Sequence, residues 1–290
     1  MSTRTAPAIR ARKVRDGGEP LVMVTAYDAP GARQAHAADV DLILVGDSLA
    51  MVVLGYDDTL QVTVADIAHH VGAVHRGLVG STAEGSRPLV IGDLPWMSYH
   101  TTPADAVHNA ATLIRAGATA VKLEGGRKRL PVVEAILDAE IPVMGHLGLT
   151  PQSLHAMGGF KVQGRQHSAA LELVDEAKAL AAAGCFSLVL EGVPDEVARM
   201  VTDSVDVPTV GIGAGPHCDG QVLVYHDLLG LEDRVRPKFV RRYAELGQES
   251  VEALRAFADD VRTGRFPAHD ESYHLSADVL ESLGLYGSSH

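Results

Sequence analysis

The sequence predicts a single-domain α/β protein of the (β/α)8, TIM-barrel class. Short runs of Val, Leu and Ile alternate with segments of helical period along almost the whole chain, and such runs are typical of parallel strands buried on both faces. Eight strand–helix units fit within 290 residues, and no Pro/Ser-rich linker divides them, which favours one closed barrel over two domains. A doubly wound open sheet is the alternative.

The eight predicted strands are apolar runs bounded by Gly, Pro or acidic residues. They cover residues 21–26, 41–45, 88–91, 118–123, 141–145, 187–190, 207–212 and 222–225. The stretch between the last two runs is too short for a full crossover helix. Either that helix is vestigial or the eighth strand is misplaced.

Helices are predicted where apolar residues recur every three or four positions. They cover residues 29–38, 64–78, 103–116, 130–139, 169–183, 194–204 and, beyond the barrel, 276–283. We therefore divide the chain into an N-terminal arm (1–20), a barrel domain (21–266) and a C-terminal tail with one short helix (267–290). The arm is basic and lacks the apolar segment of a secretion signal, so we expect it to be frayed and solvated.

The composition argues against several kinds of partner. The chain has 25 Lys and Arg against 37 Asp and Glu residues, a formal net charge of −12, which disfavours nucleic acid or an anionic membrane surface as a non-specific partner. No apolar run approaches the ~18 residues of a membrane span. Cys185 and Cys218 lack the spacing of a metal or redox motif, so we expect two unpaired thiols and a reducing, cytoplasmic location.

Four of the apolar runs end in a carboxylate. They read DLILVGDS, PLVIGDLP, AVKLEGG and SLVLEG, and they place Asp47, Asp93, Glu124 and Glu191 at strand ends. A buried carboxylate costs several kcal/mol unless it is paired or bound to a metal. Because the carboxyl ends of barrel strands meet on the face where such folds hold their active sites, we expect one acidic cluster there.

Three of these acids form a candidate metal site. Asp47, Asp93 and Glu124 would offer hard oxygen ligands from three strand ends, which suits an octahedral Mg²⁺ that keeps further positions for water and substrate. The structural alternative is that each acid caps the next helix or accepts hydrogen bonds from loop amides.

Glu191 and Lys122 are candidates for proton transfer and charge stabilisation. Apolar neighbours disfavour the charged form of Glu191, which suits a general base; alternatively it is a fourth metal ligand or a partner of Lys122. Lys122 lies two residues before Glu124, so both side chains point to the same face of the strand. Lys122 is either a Schiff-base nucleophile or a fixed cation, and the adjacent carboxylates favour the protonated, fixed cation.

Weaker candidates lie beside these residues. His146 ends a strand and is expected to support the ligands by hydrogen bonding, while Ser48 either donates to a substrate carboxylate or caps a helix. The long polar loop Gly148–Ser168 is a candidate lid or substrate contact. The GIGAG segment (211–215) lacks the helix and acidic residue of a dinucleotide fingerprint, and we expect a tight turn that lets a ligand approach the backbone.

Three segments are long enough to be highly specific: VGDS (45–48), GHLGLTPQS (145–153) and KVQGR (161–165). Further segments are TAYD (25–28), the continuation of VGDS to Thr63, GDLPWMSY (92–99), VKLEGG (121–126), LVLEGVP (188–194), GIGAG and PKFVRRY (237–243). Together these segments resemble the ketopantoate hydroxymethyltransferase family, and they occur in family order over roughly residues 20–275.

This resemblance implies a (β/α)8 barrel that assembles into a homo-oligomer, often a decamer. It also implies Mg²⁺-dependent transfer of a hydroxymethyl group from 5,10-methylenetetrahydrofolate to 3-methyl-2-oxobutanoate, giving 2-dehydropantoate in pantothenate biosynthesis. The small-molecule partners would be this keto acid and the folate.

The family's functional residues fall on positions that the strand ends had already singled out. The implied metal ligands are Asp47, Asp93 and Glu124, and the implied proton acceptor is Glu191. Substrate contacts fall on Asp47, Ser48, Asp93 and Lys122. Gly192 departs from the family pattern, because many relatives carry Cys after the corresponding glutamate.

Three rival functions are compatible with parts of the pattern. A Mg²⁺-dependent lyase of the phosphoenolpyruvate mutase and isocitrate lyase type also gathers acids at strand ends, but its usual catalytic Cys loop is not evident in this sequence. A Schiff-base aldolase would use Lys122. A non-catalytic binding protein on the same barrel would use the strand-end acids only as caps.

Overall fold

Eight parallel strands close into a barrel in this computed structural model, which describes residues 2–232, 234 and 237–285. The strands follow one another in chain order, and the eighth pairs with the first. The predicted (β/α)8 class is confirmed and the open doubly wound sheet is wrong, because an open sheet has two unpaired edges. The strands are β1 Leu21–Thr25, β2 Leu42–Val45, β3 Leu89–Asp93, β4 Ala120–Glu124, β5 Val143–Gly148, β6 Ser187–Glu191, β7 Thr209–Ile212 and β8 Gly220–Leu223.

Twelve α-helices lie within the described residues, and all those predicted from the sequence are present with nearly the predicted bounds. They are α1 Ala6–Arg10, α2 Ala29–Ala37, α3 Leu49–Val52, α4 Val64–Val79, α5 Pro103–Ala116, α6 Leu130–Asp138, α7 Leu154–Met157, α8 His167–Ala183, α9 Asp195–Ser204, α10 Tyr225–Leu228, α11 Leu246–Arg262 and α12 Ala277–Ser282.

Local hydrogen bonds explain where the long outer helices begin. Before α4, the hydroxyl of Thr63 accepts from the backbone N–H of Asp66, whose carboxylate accepts from the backbone N–H of Thr63 in return. This capping box satisfies donors that the first helical turn leaves unpaired. Before α5, Thr102 accepts from the backbone N–H of Asp105, and Pro103 opens the helix with a preset φ.

The eighth strand is real, and the crossover before it carries no helix. β8 pairs with both β7 and β1, two residues earlier than the sequence pattern predicted. Between β7 and β8 the described chain makes only turns. The connection between β7 and β8 is therefore a vestigial crossover.

Helix α11 was not predicted, although its sequence carries a signal. Val251, Leu254, Phe257 and Val261 recur at helical spacing, yet no residue of this helix is buried, and Leu254 is 65% exposed. The helix lies within the stretch assigned to the barrel domain. Among the described residues, its apolar stripe packs on no other helix or strand to an appreciable extent, so the stripe belongs to no hydrophobic core.

Two apolar cores flank the sheet. The larger one fills the space between the strands and the outer helices, and its members include Ile43, Val71, Leu113, Ile136 and Leu188. The smaller one fills the lower barrel interior with Leu21, Met23, Leu42, Leu89 and Met144. The interior is thus a packed core below the site, as expected for this fold.

The N-terminal arm is ordered against the amino end of the barrel, so the expectation of a frayed and solvated arm is wrong. Ile9 of α1 belongs to the interior core and is buried. Lys13 is 2% exposed, and its Nζ lies 2.7 Å from Asp219 Oδ2 while also donating to the carbonyl of Thr202. Asp219 in turn accepts from the backbone N–H of Thr209. A buried charge without its partner is strongly destabilising, so the ion pair between Lys13 and Asp219 keeps the arm docked on the barrel.

Two further sequence expectations can be compared with the structure. Cys185 and Cys218 are both unpaired thiols, as predicted, and Cys185 is buried. Among the described residues, no helix is long and apolar enough to cross a membrane.

The buried pair gives a stability prediction. Lys13→Met should lower the free energy of unfolding by about 3 kcal/mol or more, because it leaves Asp219 buried without its cation. Urea unfolding followed by circular dichroism measures this loss. Arg15→Met is the matched control: Arg15 pairs with Asp206, which is 93% exposed, and such pairs contribute only about 0–1 kcal/mol. Equal losses in the two variants would contradict the role of the arm.

Candidate active site

A cavity of about 940 Å³ opens at the carboxyl end of the barrel. Every functional residue predicted from the sequence lines it. They are Asp47 and Ser48 after β2, Asp93 on β3, Lys122 and Glu124 on β4, His146 on β5 and Glu191 on β6. The strand-end acids therefore converge on one face, as the parallel topology requires.

Each of the three clustered acids has one oxygen held by a hydrogen bond. Asp93 Oδ2 accepts from the backbone N–H of Asp47 at 3.2 Å, and Glu124 Oε2 accepts from the backbone N–H of Gln152 at 3.1 Å. Asp47 Oδ2 accepts from the Gln152 side-chain amide at 2.9 Å. The acids do accept from loop amides, as the structural alternative proposed, but only through one oxygen each.

The second oxygens are the ones left for chemistry. Asp93 Oδ1 and Glu124 Oε1 are buried, and within the described part of the chain no backbone N–H donates to either of them; their neighbours are Lys122 Nζ, 2.9 Å from Asp93 Oδ1, and His146 Nδ1, 3.4 Å from Glu124 Oε1. Buried carboxylates that meet cationic side chains in a cavity often mark a functional site.

Lys122 is the cation at the centre of the cluster. Asp93 and Lys122 are paired across β3 and β4, and Lys122 Nζ lies 2.9 Å from Asp93 Oδ1 and 3.9 Å from Glu124 Oε1. Burial alone would lower the pKa of Lys122, but the charges of these carboxylates outweigh it and raise the pKa above its ordinary value. The geometry supports a fixed cation over a Schiff-base nucleophile.

The negative charges of the three carboxylates are neutralised to different extents by their neighbours. Burial and the charges of Asp93 and Glu124 raise the pKa of Asp47 well above its usual range. Burial also raises the pKa of Asp93, although Lys122 opposes it. Burial works in the same direction on Glu124, but hydrogen bonding to His146 together with Lys122 reverses it and lowers the pKa of Glu124. Negative charge is therefore least well neutralised at Asp47.

His146 connects the acid cluster to Glu191. Its Nδ1 lies 3.4 Å from Glu124 Oε1 and 3.3 Å from Lys122 Nζ, and its Nε2 lies 3.3 Å from Glu191 Oε2. Burial and the Lys122 charge oppose protonation, but Glu124 and Glu191 outweigh them and raise the pKa of His146 to about 9. Glu191 thus pairs with the imidazole and not with Lys122.

Ser48 lines the cavity, and three residues that sequence reasoning did not select lie behind the lining side chains and bond to them. Ser48 makes no capping hydrogen bond to α3, so the capping alternative is wrong; its Oγ lies 2.9 Å from the hydroxyl of Tyr27. Gln152 and Tyr99 are buried and bonded to the acids or their backbone. All three lie in segments that carried the family resemblance, but no local pattern marks them.

Two loops form the outer wall of the cavity. Phe160, Lys161 and Val162 of the long loop after β5 line it, which confirms that this loop reaches the carboxyl face. The loop leaves β5 at Gly148, where φ is +94° and a Cβ atom would lie 2.2 Å from the carbonyl of Glu191, so only glycine fits. Gly213 of GIGAG also lines the cavity in a left-handed turn.

The donor set suits a hard divalent cation. Carboxylate oxygens are the ligands that Mg²⁺ prefers, and a cation beside Asp47 would offset the excess negative charge there. Within the described ranges, however, no three His, Cys, Asp or Glu side chains are already arranged around one point as a metal centre. The assignment of Asp47, Asp93 and Glu124 as ligands stays a prediction.

A closed parallel barrel with buried acids, a lysine and a histidine gathered at the carboxyl ends of its strands defines a (β/α)8 enzyme. The chain belongs to the ketopantoate hydroxymethyltransferase family, whose model matches residues 4–269. It is a hydroxymethyltransferase, an enzyme that transfers one-carbon groups.

Relatives of similar length support this assignment. The chain is 54% identical over 275 residues to the 3-methyl-2-oxobutanoate hydroxymethyltransferase of Oleidesulfovibrio alaskensis, covering 94% of this chain and 92% of that one. It is 54% identical over 270 residues to the enzyme of the same name from Moorella thermoacetica, with coverages of 93% and 97%.

Solved structures of lower identity share the fold. One is phosphonopyruvate hydrolase in complex with oxalate and Mg²⁺ (TM-score 0.59, 14% identity, coverages of 97% and 95%). Another is 2,3-dimethylmalate lyase, of the PEP mutase/isocitrate lyase superfamily (TM-score 0.56, 17% identity, coverage of 98% for both chains). The likeness to the rival lyases is thus one of fold, while sequence separates this chain from them.

The position of Lys122 predicts the result of a trapping experiment. Borohydride added with a 2-keto acid should leave the mass of the protein unchanged, because an ammonium fixed between Asp93 and Glu124 is not a free amine nucleophile. Intact-protein mass spectrometry measures the adduct, with a known Schiff-base aldolase as the positive control. A reduced adduct at Lys122 would contradict the fixed-cation assignment.

Proposed function

We propose that this enzyme transfers a hydroxymethyl group from 5,10-methylenetetrahydrofolate to 3-methyl-2-oxobutanoate in a Mg²⁺-dependent reaction that gives 2-dehydropantoate. The observation that carries the proposal is the convergence of Asp47, Asp93, Glu124 and Lys122 with Glu191 in one cavity. The names of the relatives support the keto acid as acceptor.

The keto acid matches the charges at the base of the cavity. The ammonium of Lys122 and the hydroxyl of Ser48 can bind its carboxylate and 2-oxo oxygens, which are acceptors only. Asp47, Asp93 and Glu124 would hold Mg²⁺ through the oxygens that accept no hydrogen bond from the backbone or from Gln152; at Asp93 this oxygen also pairs with Lys122. When bound, the metal supplies Lewis-acid polarisation of the carbonyl, which makes the proton on C3 more acidic.

Glu191 is the proposed proton acceptor. Its side chain is 17% exposed in the cavity, and His146 contacts Oε2 at 3.3 Å, which restricts the rotation of the carboxylate. Glu191 takes the proton from C3, and the C–H electron pair becomes the C2=C3 double bond while negative charge passes to the 2-oxo oxygen. The fixed charge of Lys122 stabilises that oxygen, the kind of preorganised electrostatic effect that contributes most to catalysis.

The nucleophilic C3 atom then forms the new carbon–carbon bond. Water adds to the methylene carbon of the folate, and both C–N bonds break with their electrons returning to the two folate nitrogens, which take the two protons of the water. Tetrahydrofolate is thereby released, and the one-carbon unit stands at the oxidation level of formaldehyde. C3 attacks the carbon of this unit, the C=O π electrons pass to its oxygen, and that oxygen takes the proton held by Glu191.

The size of the cavity supports a second, larger substrate. At about 940 Å³ it lies near the upper end of the roughly 300–1,000 Å³ typical of ligand pockets, well beyond the needs of a five-carbon keto acid. Phe160 and Phe239 on its outer wall are 53% and 40% exposed. Exposed aromatic rings at a cavity mouth suit the flat heterocycle of a folate.

An exposed apolar stripe on α11 supports the expected homo-oligomer. The apolar stripe on α11, with Leu254 and Phe257 exposed, is of the kind that marks a protein–protein interface. We therefore propose self-association, with a decamer as the expected size.

The two unpaired thiols support a reducing, cytoplasmic compartment.

An assay with both substrates tests the function directly. Product should form from 3-methyl-2-oxobutanoate and methylenetetrahydrofolate with Mg²⁺ and should disappear when EDTA is added, as detected by mass spectrometry. Asp93→Asn should raise the Mg²⁺ concentration required by about ten-fold or more, because one charged ligand is lost. Asp105→Asn, on the exposed start of α5, is the control. Full activity in EDTA would exclude the metal-dependent mechanism.

Glu191→Gln should abolish the first step without weakening binding. We expect exchange of the C3 proton in deuterated buffer to fall by roughly 10²-fold or more, the usual contribution of a general base, with Mg²⁺ affinity unchanged. Proton NMR of the keto acid measures the exchange, and Glu196→Gln on the exposed start of α9 is the control. Normal exchange in Glu191→Gln would remove this residue from the role of base.

A further inference from the structure

Gln152, in the loop that follows β5, makes four hydrogen bonds around the acid cluster. Its side-chain Nε2 donates to Asp47 Oδ2 at 2.9 Å and to the carbonyl of Leu94 at 3.0 Å. Its Oε1 accepts from the hydroxyl of Tyr99 at 2.6 Å, and its backbone N–H donates to Glu124 Oε2 at 3.1 Å. The residue is 5% exposed, so bulk water does not replace these bonds.

The partners allow only one orientation of the amide. The Leu94 carbonyl and the Asp47 carboxylate are acceptors, so both must face the NH₂ group. The Tyr99 hydroxyl must then donate to Oε1. Burial and the Glu124 charge raise the pKa of Tyr99, so the phenol keeps the proton that it donates. Every donor and acceptor of the Gln152 side chain is used.

These bonds reach two acids that lie on different strands. Gln152 occupies Oδ2 of Asp47, after β2, and Oε2 of Glu124, on β4. Gln152 leaves the other oxygens, Asp47 Oδ1 and Glu124 Oε1, unoccupied; His146 Nδ1 lies 3.4 Å from Glu124 Oε1, and both acids line the cavity. One residue thereby selects which oxygen of each acid is left for a ligand.

Tyr99 strengthens the same connection. Besides donating to Gln152, its hydroxyl oxygen accepts from the backbone N–H of Glu124 at 3.2 Å. The hydrogen bond between Tyr99 and Gln152 thus joins the segment that follows β3 to the loop that follows β5, at the ends of the strands that carry the acids.

We infer that Gln152 is a positioning residue of the active site, which fixes the carboxylates of Asp47 and Glu124 and is itself oriented by Tyr99. The inference rests on the proposed function for its catalytic consequence. Its geometric part, the positioning of two carboxylates for a cation, is independent of which organic substrate is used.

Gln152→Met tests this role, because Met fills a similar volume without donating to Asp47 or accepting from Tyr99. We expect Mg²⁺ affinity, measured by calorimetry with the metal alone, to fall by about ten-fold or more, the size expected for loss of a hydrogen bond to a charged group. The rate of C3 proton exchange should fall at least as much, seen in kcat more than in the KM for the keto acid. Thermal unfolding verifies that the variant is folded.

Tyr99→Phe is a milder second variant that keeps Gln152 but removes the donor to its Oε1 and the acceptor of the Glu124 backbone N–H. It should show the same two losses, at about three-fold or more, and the double variant should lose less than the product of the single effects, because the residues act in series. Gln248→Met on the exposed helix α11, where the Gln248 side chain donates to Glu252, is the control.

The outcomes separate this inference from the proposed function. Folded Gln152→Met and Tyr99→Phe variants with wild-type Mg²⁺ affinity and wild-type exchange would overturn the positioning role, as would fully multiplicative effects in the double variant. If the wild-type protein transfers no hydroxymethyl group, the proposed function fails, while weakened Mg²⁺ binding by both variants still supports the positioning of Asp47 and Glu124.

Discussion

Asp47, Asp93 and Glu124 lose contact with bulk water at the carboxyl end of the barrel, and carboxylates so buried must be neutralised or hydrogen-bonded by their neighbours. Lys122 and His146 supply positive charge, and Gln152 supplies neutral donors. The compensation is partial, because three acids share it and Asp47 has no cation of its own. His146, held by Glu124, orients Glu191, and the proposed divalent ion would offset the remaining deficit at Asp47.

Buried charged groups are compensated to different extents at the two ends of the barrel. At the amino end, Lys13 and Asp219 form a closed pair whose remaining bonding capacity is met by backbone groups. At the carboxyl end, no backbone group of the described residues donates to Asp93 Oδ1 or Glu124 Oε1, which meet the side chains of Lys122 and His146. The first arrangement stabilises the fold; the second is costly for stability and is typical of a site that binds and reacts.

The strands and the acid cluster were predictable because both depend on local sequence. Buried parallel strands are continuous apolar runs, so a single carboxylate at each end is conspicuous, and strand period placed Lys122 beside Glu124. The pairing of His146 with Glu191 and the bonds of Gln152 were not predictable, because they join residues that only the closed barrel brings together. The order of the N-terminal arm was missed for the same reason. Helix α11 was missed despite its spacing, because its apolar face has no barrel partner that the strand–helix rhythm would reveal.

The Lys13–Asp219 pair also bears on how the chain is made. The two residues are separated by 206 positions, and the backbone of Asp219 accepts the first hydrogen bond of β1. Synthesis at about 5–20 residues per second means that Lys13 emerges roughly 10 to 40 s before its partner exists. Closure is therefore a late event on the ribosome, and until then the nascent β1 edge and the basic arm are open to solvent and to other chains.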